Sequence, residues 1–148
     1  MPLDPSFVGR TYPPTPPYEV GREKIREFAD AIGASHPAYR DPAVARELGH
    51  PDVPAPPTFP IVVTHRAGAQ IVEDPRLGID YSRVVHGEQR FAYIRPVYAG
   101  DRLTCVVTVE NIASRSGHDF ITTRTDVSTV GGEPVVSVWV RLVVRGEG

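Results

Sequence analysis

Apolar and polar positions recur in two different rhythms along this chain, and the rhythm changes near residue 80. From Gly21 to Ile32, the apolar residues Ile25, Phe28, Ala29 and Ile32 fall at i, i+3, i+4 and i+7. That spacing predicts an amphipathic helix, and Gly33 supplies a left-handed stop. A second helix is predicted at Asp41-Pro42, where the carboxylate caps free amides and proline fits the first helical position; it runs through AVARELG to its terminal glycine. A third runs from about Thr58 to Glu73. Phe59, Val62, Val63, Ala67, Ala69 and Ile71 make it apolar around most of its circumference, as suits a helix that a sheet surrounds.

Beyond Tyr81 the period shortens to two. Strands are predicted at about 82–96, 102–114, 119–130 and 134–144, with turns at Gly100-Asp101, at SRSGHD (114–119) and at Gly131-Gly132. In the last strand Val136, Val138, Val140, Leu142 and Val144 make a continuous apolar face, against a mixed face of Val135, Ser137, Trp139, Arg141 and Val143. Helices segregated from an antiparallel sheet define an α+β fold, and a meander is the economical order of its strands. One face of that sheet is expected to wrap the apolar helix.

Length and composition narrow the class. A chain of 148 residues fits one domain. A 41% hydrophobic and 23% charged sequence with no long apolar run gives no sign of a membrane span. The start MPLDPSFVGR lacks the basic and apolar regions of a secretory signal, so the cytoplasm is the simplest compartment. Sixteen basic residues against eighteen acidic ones, without a basic cluster, argue against a nucleic-acid partner. The single cysteine, Cys105, has no partner for a disulfide and no neighbours for a metal, and reads as a small buried hydrophobe.

A sheet curled round one buried helix is the hot-dog arrangement, and three stretches carry a specific resemblance: YEVGREKIREFADAIG (18–33), VPAPPTFPIV (53–62) and VVHGEQRFAYIRPVYAGDRL (84–103). On these, over roughly residues 7–144, the chain resembles the MaoC-like, (R)-specific enoyl hydratase and dehydratase family. Within it, the chain is most similar to the accessory, A-type subunit of actinobacterial (3R)-hydroxyacyl-ACP dehydratase. Active members carry a G-D-x-N-P-aliphatic-H motif after the first helix, whose aspartate and histidine do general acid–base work near neutral pH. The matching stretch here is Gly33-Ala34-Ser35-His36-Pro37-Ala38-Tyr39. Glycine and proline keep their places, while Ala34 stands at the aspartate position and Tyr39 at the histidine position. Alanine transfers no proton, and a phenol with a reference pKa of about 10 is a poor base. No catalytic residue is therefore expected from the dyad. His36 and His86 are the weak replacement candidates, with a loop-holding role preferred for His36.

The resemblance also implies that backbone amides at the start of the central helix polarise the thioester carbonyl. Three of the six residues in Ala55-Pro56-Pro57-Thr58-Phe59-Pro60 are prolines without an N–H, and a reduced donor set is expected on Thr58 and Phe59. The prolines are read as fixing the helix entry. An acyl tunnel wants apolar walls, and the substrate-binding candidates are Tyr39, Thr58, Phe59, Ile61 and Val62. His86 and Glu88, two apart on one strand and so expected on one side of it, form a weaker acid–base candidate. Asp101 reads as a turn residue, Arg90 and Arg95 as solvated strand arginines, and His65 as a helix-flank histidine.

Four functions follow from these readings. The first is a non-catalytic subunit that forms the tunnel for an acyl-ACP or acyl-CoA thioester, in heterodimer with a B-type chain that brings the Asp/His pair. The second is a self-sufficient homodimeric hydratase using His36 or His86. The third is a homodimer that binds acyl thioester or lipid without turnover. The last is a thioesterase built on Glu73 and Asp74, which Pro75 makes look like a helix terminus instead. No cofactor and no metal is expected in any of them.

Overall fold

The computed structural model describes residues 2–146. Helix α1 (Arg22–Ala31) buries Ile25 and Ala29, and Gly33 follows with a φ of 71°, the left-handed region that favours glycine. Ile32, predicted on the apolar face, lies beyond the last helical turn and is 50% exposed. Helix α2 (Pro42–Glu47) starts as its sequence predicts: the Asp41 carboxylate accepts the Ala43 N–H at 2.9 Å. Helix α3 (Ile61–Val72) is shorter than expected, because Pro57 to Pro60 form a turn before it.

Five antiparallel strands complete the fold: β1 (Tyr18–Glu19), β2 (Val84–Tyr93), β3 (Arg102–Arg115), β4 (His118–Thr129) and β5 (Pro134–Val144). Strands β3, β4 and β5 are consecutive hairpin neighbours, the first turn using Ser116 and Gly117, both at positive φ. The sheet order is β1-β3-β4-β5-β2. This corrects the expected meander, since β2 pairs with β5 rather than with its sequence neighbour β3. The Gly100-Asp101 turn exists, with the Tyr98 N–H donating to Asp101 at 2.8 Å, but it ends a crossover instead of a hairpin. That crossover is held by residues 53–55, through Ala55 N–H to the Val97 carbonyl and Ala99 N–H to the Val53 carbonyl.

The sheet curls on α3, which packs against β3 and β4. Val63, Ala67 and Ile71 of the helix meet Leu103, Val107, Val109, Ile121 and Val127 of the strands in one buried cluster. Both Val135 and Val136 are buried, so the mixed face of β5 also contributes to the core. The helix is less enclosed than predicted, with His65 and Arg66 exposed.

The two edges of the sheet differ. Along β3 runs the proline-rich N-terminal segment, with Gly9, Tyr12 and Thr15 donating their N–H groups to the carbonyls of Val109, Val107 and Cys105, before β1 takes over. Prolines cannot donate to a further strand, so this edge is closed to pairing. On the other side β2 pairs only with β5 among the described residues, and its ends carry exposed Tyr81, Val85, Tyr93 and Ile94.

Candidate functional site

The loop after α1 keeps a defined geometry without the expected proton-transfer groups. His36 Nδ1 accepts the Ala38 N–H at 3.0 Å and thereby caps the single turn Pro37–Tyr39. Its ring is exposed and stands edge-on to Tyr39, with centroids 6.3 Å apart. Tyr39 is half-buried against the core, and Ala34 donates its N–H to the Ala29 carbonyl at 2.8 Å, closing the end of α1. The positions that the resemblance matches to the family's aspartate and histidine hold a methyl group and a phenol.

The start of α3 is also occupied by its own contacts. Phe59 N–H donates to the Pro56 carbonyl at 2.9 Å, Ile61 N–H to Thr58 and Val62 N–H to Phe59. Of the two amides expected as donors there, Phe59 is spent within the turn, and Thr58 alone has no backbone partner among the described residues. The prolines that remove donors also fold the chain back so that Phe59, Ile61 and Val62 donate to carbonyls within the turn, which leaves Thr58 as the unused amide there.

A groove of about 670 Å³ lies between α3 and the inner face of β4, β5 and β2, which α3 leaves uncovered. Ile61, Val72, Val140 and Leu142 make it largely apolar, while Thr64, Thr123, Thr125, His86 and Gln89 supply polar groups. Of the five substrate-binding candidates only Ile61 lines it. Phe59 is fully buried and packs edge-to-face on Phe28 at 5.5 Å, Val62 and Tyr39 are half-buried against the core, and Thr58 is exposed. A smaller cavity of about 350 Å³, between α3 and Pro14 to Tyr18, has Arg66 at its rim.

His86 faces the groove, but Glu88 does not share its side. A bulge at Gly87 breaks the ladder: His86 is opposite Leu142, whereas Glu88 is opposite Arg141 and pairs with it on the outer face. The extra residue shifts the two-residue alternation by one, so the neighbour of His86 becomes Gln89, with His86 Nε2 and Gln89 Oε1 2.8 Å apart. Only glycine is easily placed at the bulge, since a Cβ there would lie 3.2 Å from both the Arg141 carbonyl and the Val143 side chain.

The remaining candidates have structural partners. Arg95 lies in the crossover, not in a strand, and grips Asp101 with two nitrogens at 2.9 and 3.1 Å while also pairing with Glu133. Arg90 stacks over the Trp139 ring at 4.0 Å. Asp74 is buried and accepts from Tyr12 Oη at 2.8 Å and from the Arg76 side chain and amide, which hold its carboxyl down at about 2. An acid so fully engaged joins the N-terminal segment to the end of α3 rather than awaiting a substrate; Glu73 is exposed beside it. Among the described residues, no group of three His, Cys, Asp or Glu gathers as a metal site, and no helix is long and apolar enough to cross a membrane. Sequence reasoning missed Thr64 and Gln89: Thr64 sits inside an apolar helical run, and Gln89 on what regular alternation makes the outer face.

An antiparallel sheet of order 1-3-4-5-2 curled on one long helix is a hot-dog fold, and the comparisons agree. A family model described as a FAS1-like dehydratase domain region matches residues 6–138. The "UPF0336 protein" of Streptomyces griseus is 61% identical over 145 residues, 98% of this chain and 97% of that protein. The HadBC (3R-hydroxyacyl-ACP dehydratase) complex of Mycobacterium tuberculosis superposes with a TM-score of 0.83 at 31% identity, covering 93% of this chain and 96% of its own. A structure described as a MaoC-like dehydratase superposes at 0.87 with 33% identity, covering 95% of this chain, which spans 43% of that longer one. The chain belongs to the MaoC-like hot-dog dehydratase family.

Proposed function

We propose that this chain is a non-catalytic subunit of a (3R)-hydroxyacyl-thioester dehydratase in type II fatty acid synthesis, shaping the acyl site while a second, B-type hot dog brings the Asp/His pair. The observation that carries the reading is the loop after α1, folded and capped, with Ala34 and Tyr39 where proton transfer is expected. The start of α3 supports the same conclusion, because among the described residues Thr58 is left as the one amide of the expected pair without a backbone partner. The β2 edge, unpaired among the described residues and with Val85, Tyr93 and Ile94 exposed, lies beside a half-covered concave face and suits side-by-side pairing with another hot dog. The acyl thioester, on ACP or CoA, would then lie against α3 with Ile61 on its wall.

The test is hydration of a trans-2-enoyl thioester, followed as loss of the conjugated enoyl absorbance. The purified chain alone is expected to be inactive, and a B-type partner is expected to restore turnover. Robust activity of the chain alone would instead favour a self-sufficient homodimer. The place of His86 in the groove is the observation behind that second reading, and loss of turnover in His86→Ala would establish it.

A further inference from the structure

Two buried side-chain atoms among the described residues have no hydrogen-bond partner: Thr64 Oγ1 and Gln89 Nε2. Both residues line the same groove, one from α3 and the other from β2. Buried polar groups are nearly always paired, because an unpaired one gives up its hydration for nothing. Two such atoms in the lining of one cavity, from elements distant in sequence, point to a ligand that completes them.

The local structure explains why each is left over. Thr64 is 4% exposed, and the carbonyl one turn back, the usual acceptor for a helical threonine, belongs to Pro60 and already takes the amides of Val63 and Thr64 at 3.0 and 2.9 Å. Gln89 is turned into the groove by the Gly87 bulge, and its Oε1 is engaged by His86 Nε2. With His86 as the Nε2–H tautomer, the Gln89 carboxamide oxygen accepts from it and the NH2 group is the part left unpaired. The site's unpaired groups are therefore an N–H and an O–H, while Glu73, His65 and Tyr81 also belong to the lining. Val140 and Leu142 on its floor and Ile61 on its wall are apolar, so the chemistry that fits is one acceptor oxygen carried on an apolar body.

We propose that Thr64 and Gln89 are the carbonyl-binding residues of this chain, donating to the oxygen of an acyl thioester in place of a helix-amide pair from which the proline turn takes Phe59, with His86 as the positioning residue that orients Gln89. This rests on the reading of the chain as an acyl-thioester subunit. It goes further in assigning the polar contact to two side chains.

The probe is trans-2-octenoyl-N-acetylcysteamine carrying a 13C carbonyl, bound to the full chain with and without a B-type partner. Affinity and the carbonyl stretching frequency are measured for wild type, Thr64→Val and Gln89→Leu. Each variant is expected to bind roughly three- to tenfold more weakly, the value of one neutral hydrogen bond, and to move the bound carbonyl to higher frequency. His86→Ala should shift the frequency in the same direction. Melting temperatures should hold or rise in Thr64→Val and Gln89→Leu, since an unpaired buried donor is replaced by an apolar group of similar shape. Failure of wild type to bind the probe in either form, or variants with unchanged affinity and frequency, overturns the proposal. So does a loss confined to association with the partner, which would assign both donors to the partner's backbone. Binding that depends on Thr64 and Gln89 without restored hydration would sink the accessory-subunit reading and leave the site standing. Restored hydration with indistinguishable variants overturns the site alone.

Discussion

Replacing Phe59 by alanine separates two roles for the residue, a wall of an acyl tunnel or part of the permanent core. Phe59 is 0% exposed and its ring stands at 80° to that of Phe28, with centroids 5.5 Å apart. Truncating a phenylalanine in such surroundings removes its transfer energy and leaves a cavity, together about 3–5 kcal/mol. For 148 residues the unfolding entropy is roughly 0.3 kcal/mol/K, so the melting temperature should fall by about 10–16 °C. A double-mutant cycle with Phe28→Ala should return a coupling of about 0.5–1.5 kcal/mol, the edge-to-face contribution beyond burial. Thermal melts followed by circular dichroism measure all three. If Phe59→Ala melted within about 3 °C of wild type and the variant complex accepted longer acyl chains, Phe59 would be lining and the packing argument would be wrong.

Four further outcomes follow from particular contacts. Cys105 is buried and its thiol is pushed up to about 11, so the folded chain should resist thiol reagents in mildly alkaline buffer and react once denatured; rapid labelling of the native protein would contradict this. The Asp74 carboxyl, at about 2 against an ordinary 3.8, contributes stability that is full above about pH 4 and lost as pH falls toward 2, so Asp74→Asn should flatten the melting temperature across that window. Tyr12 is pushed up to about 12 by burial and by Asp74, so its contribution is present below about pH 10 and lost toward 12; Tyr12→Phe should flatten the alkaline limb. Gly87→Val must displace the Arg141 carbonyl or Val143, and should cost about 1–3 kcal/mol and weaken thioester binding with it, both read on the purified variant.

Much of the secondary structure was legible because it is written in local periodicity. The apolar spacing at Ile25, Phe28 and Ala29, the Asp41-Pro42 start and the alternation along β3 to β5 predicted elements within a few residues of those found. Those signals need only the geometry of a helix or a pleated strand. For the loop after α1 the sequence supplied an expectation, since the resemblance puts Ala34 and Tyr39 at the family's aspartate and histidine positions.

Tertiary structure decided what alternation cannot encode. Periodicity marks the two faces of β2 but not its neighbour, and the contacts of residues 53–55 with Val97 and Ala99 carry the chain across to place β2 beside β5. The same strand shows how one inserted residue reverses a site: the Gly87 bulge sends Glu88 outward and Gln89 inward, so the polar groups of the groove could not be paired from spacing alone. Arg95 became a structural clamp because the crossover brings Asp101 and Glu133 to it. By itself the sequence determined which segments bury apolar surface and which chemistry is absent from the loop. Which polar groups meet in the groove depended on long-range strand pairing, where a one-residue shift exchanges the two faces of a strand.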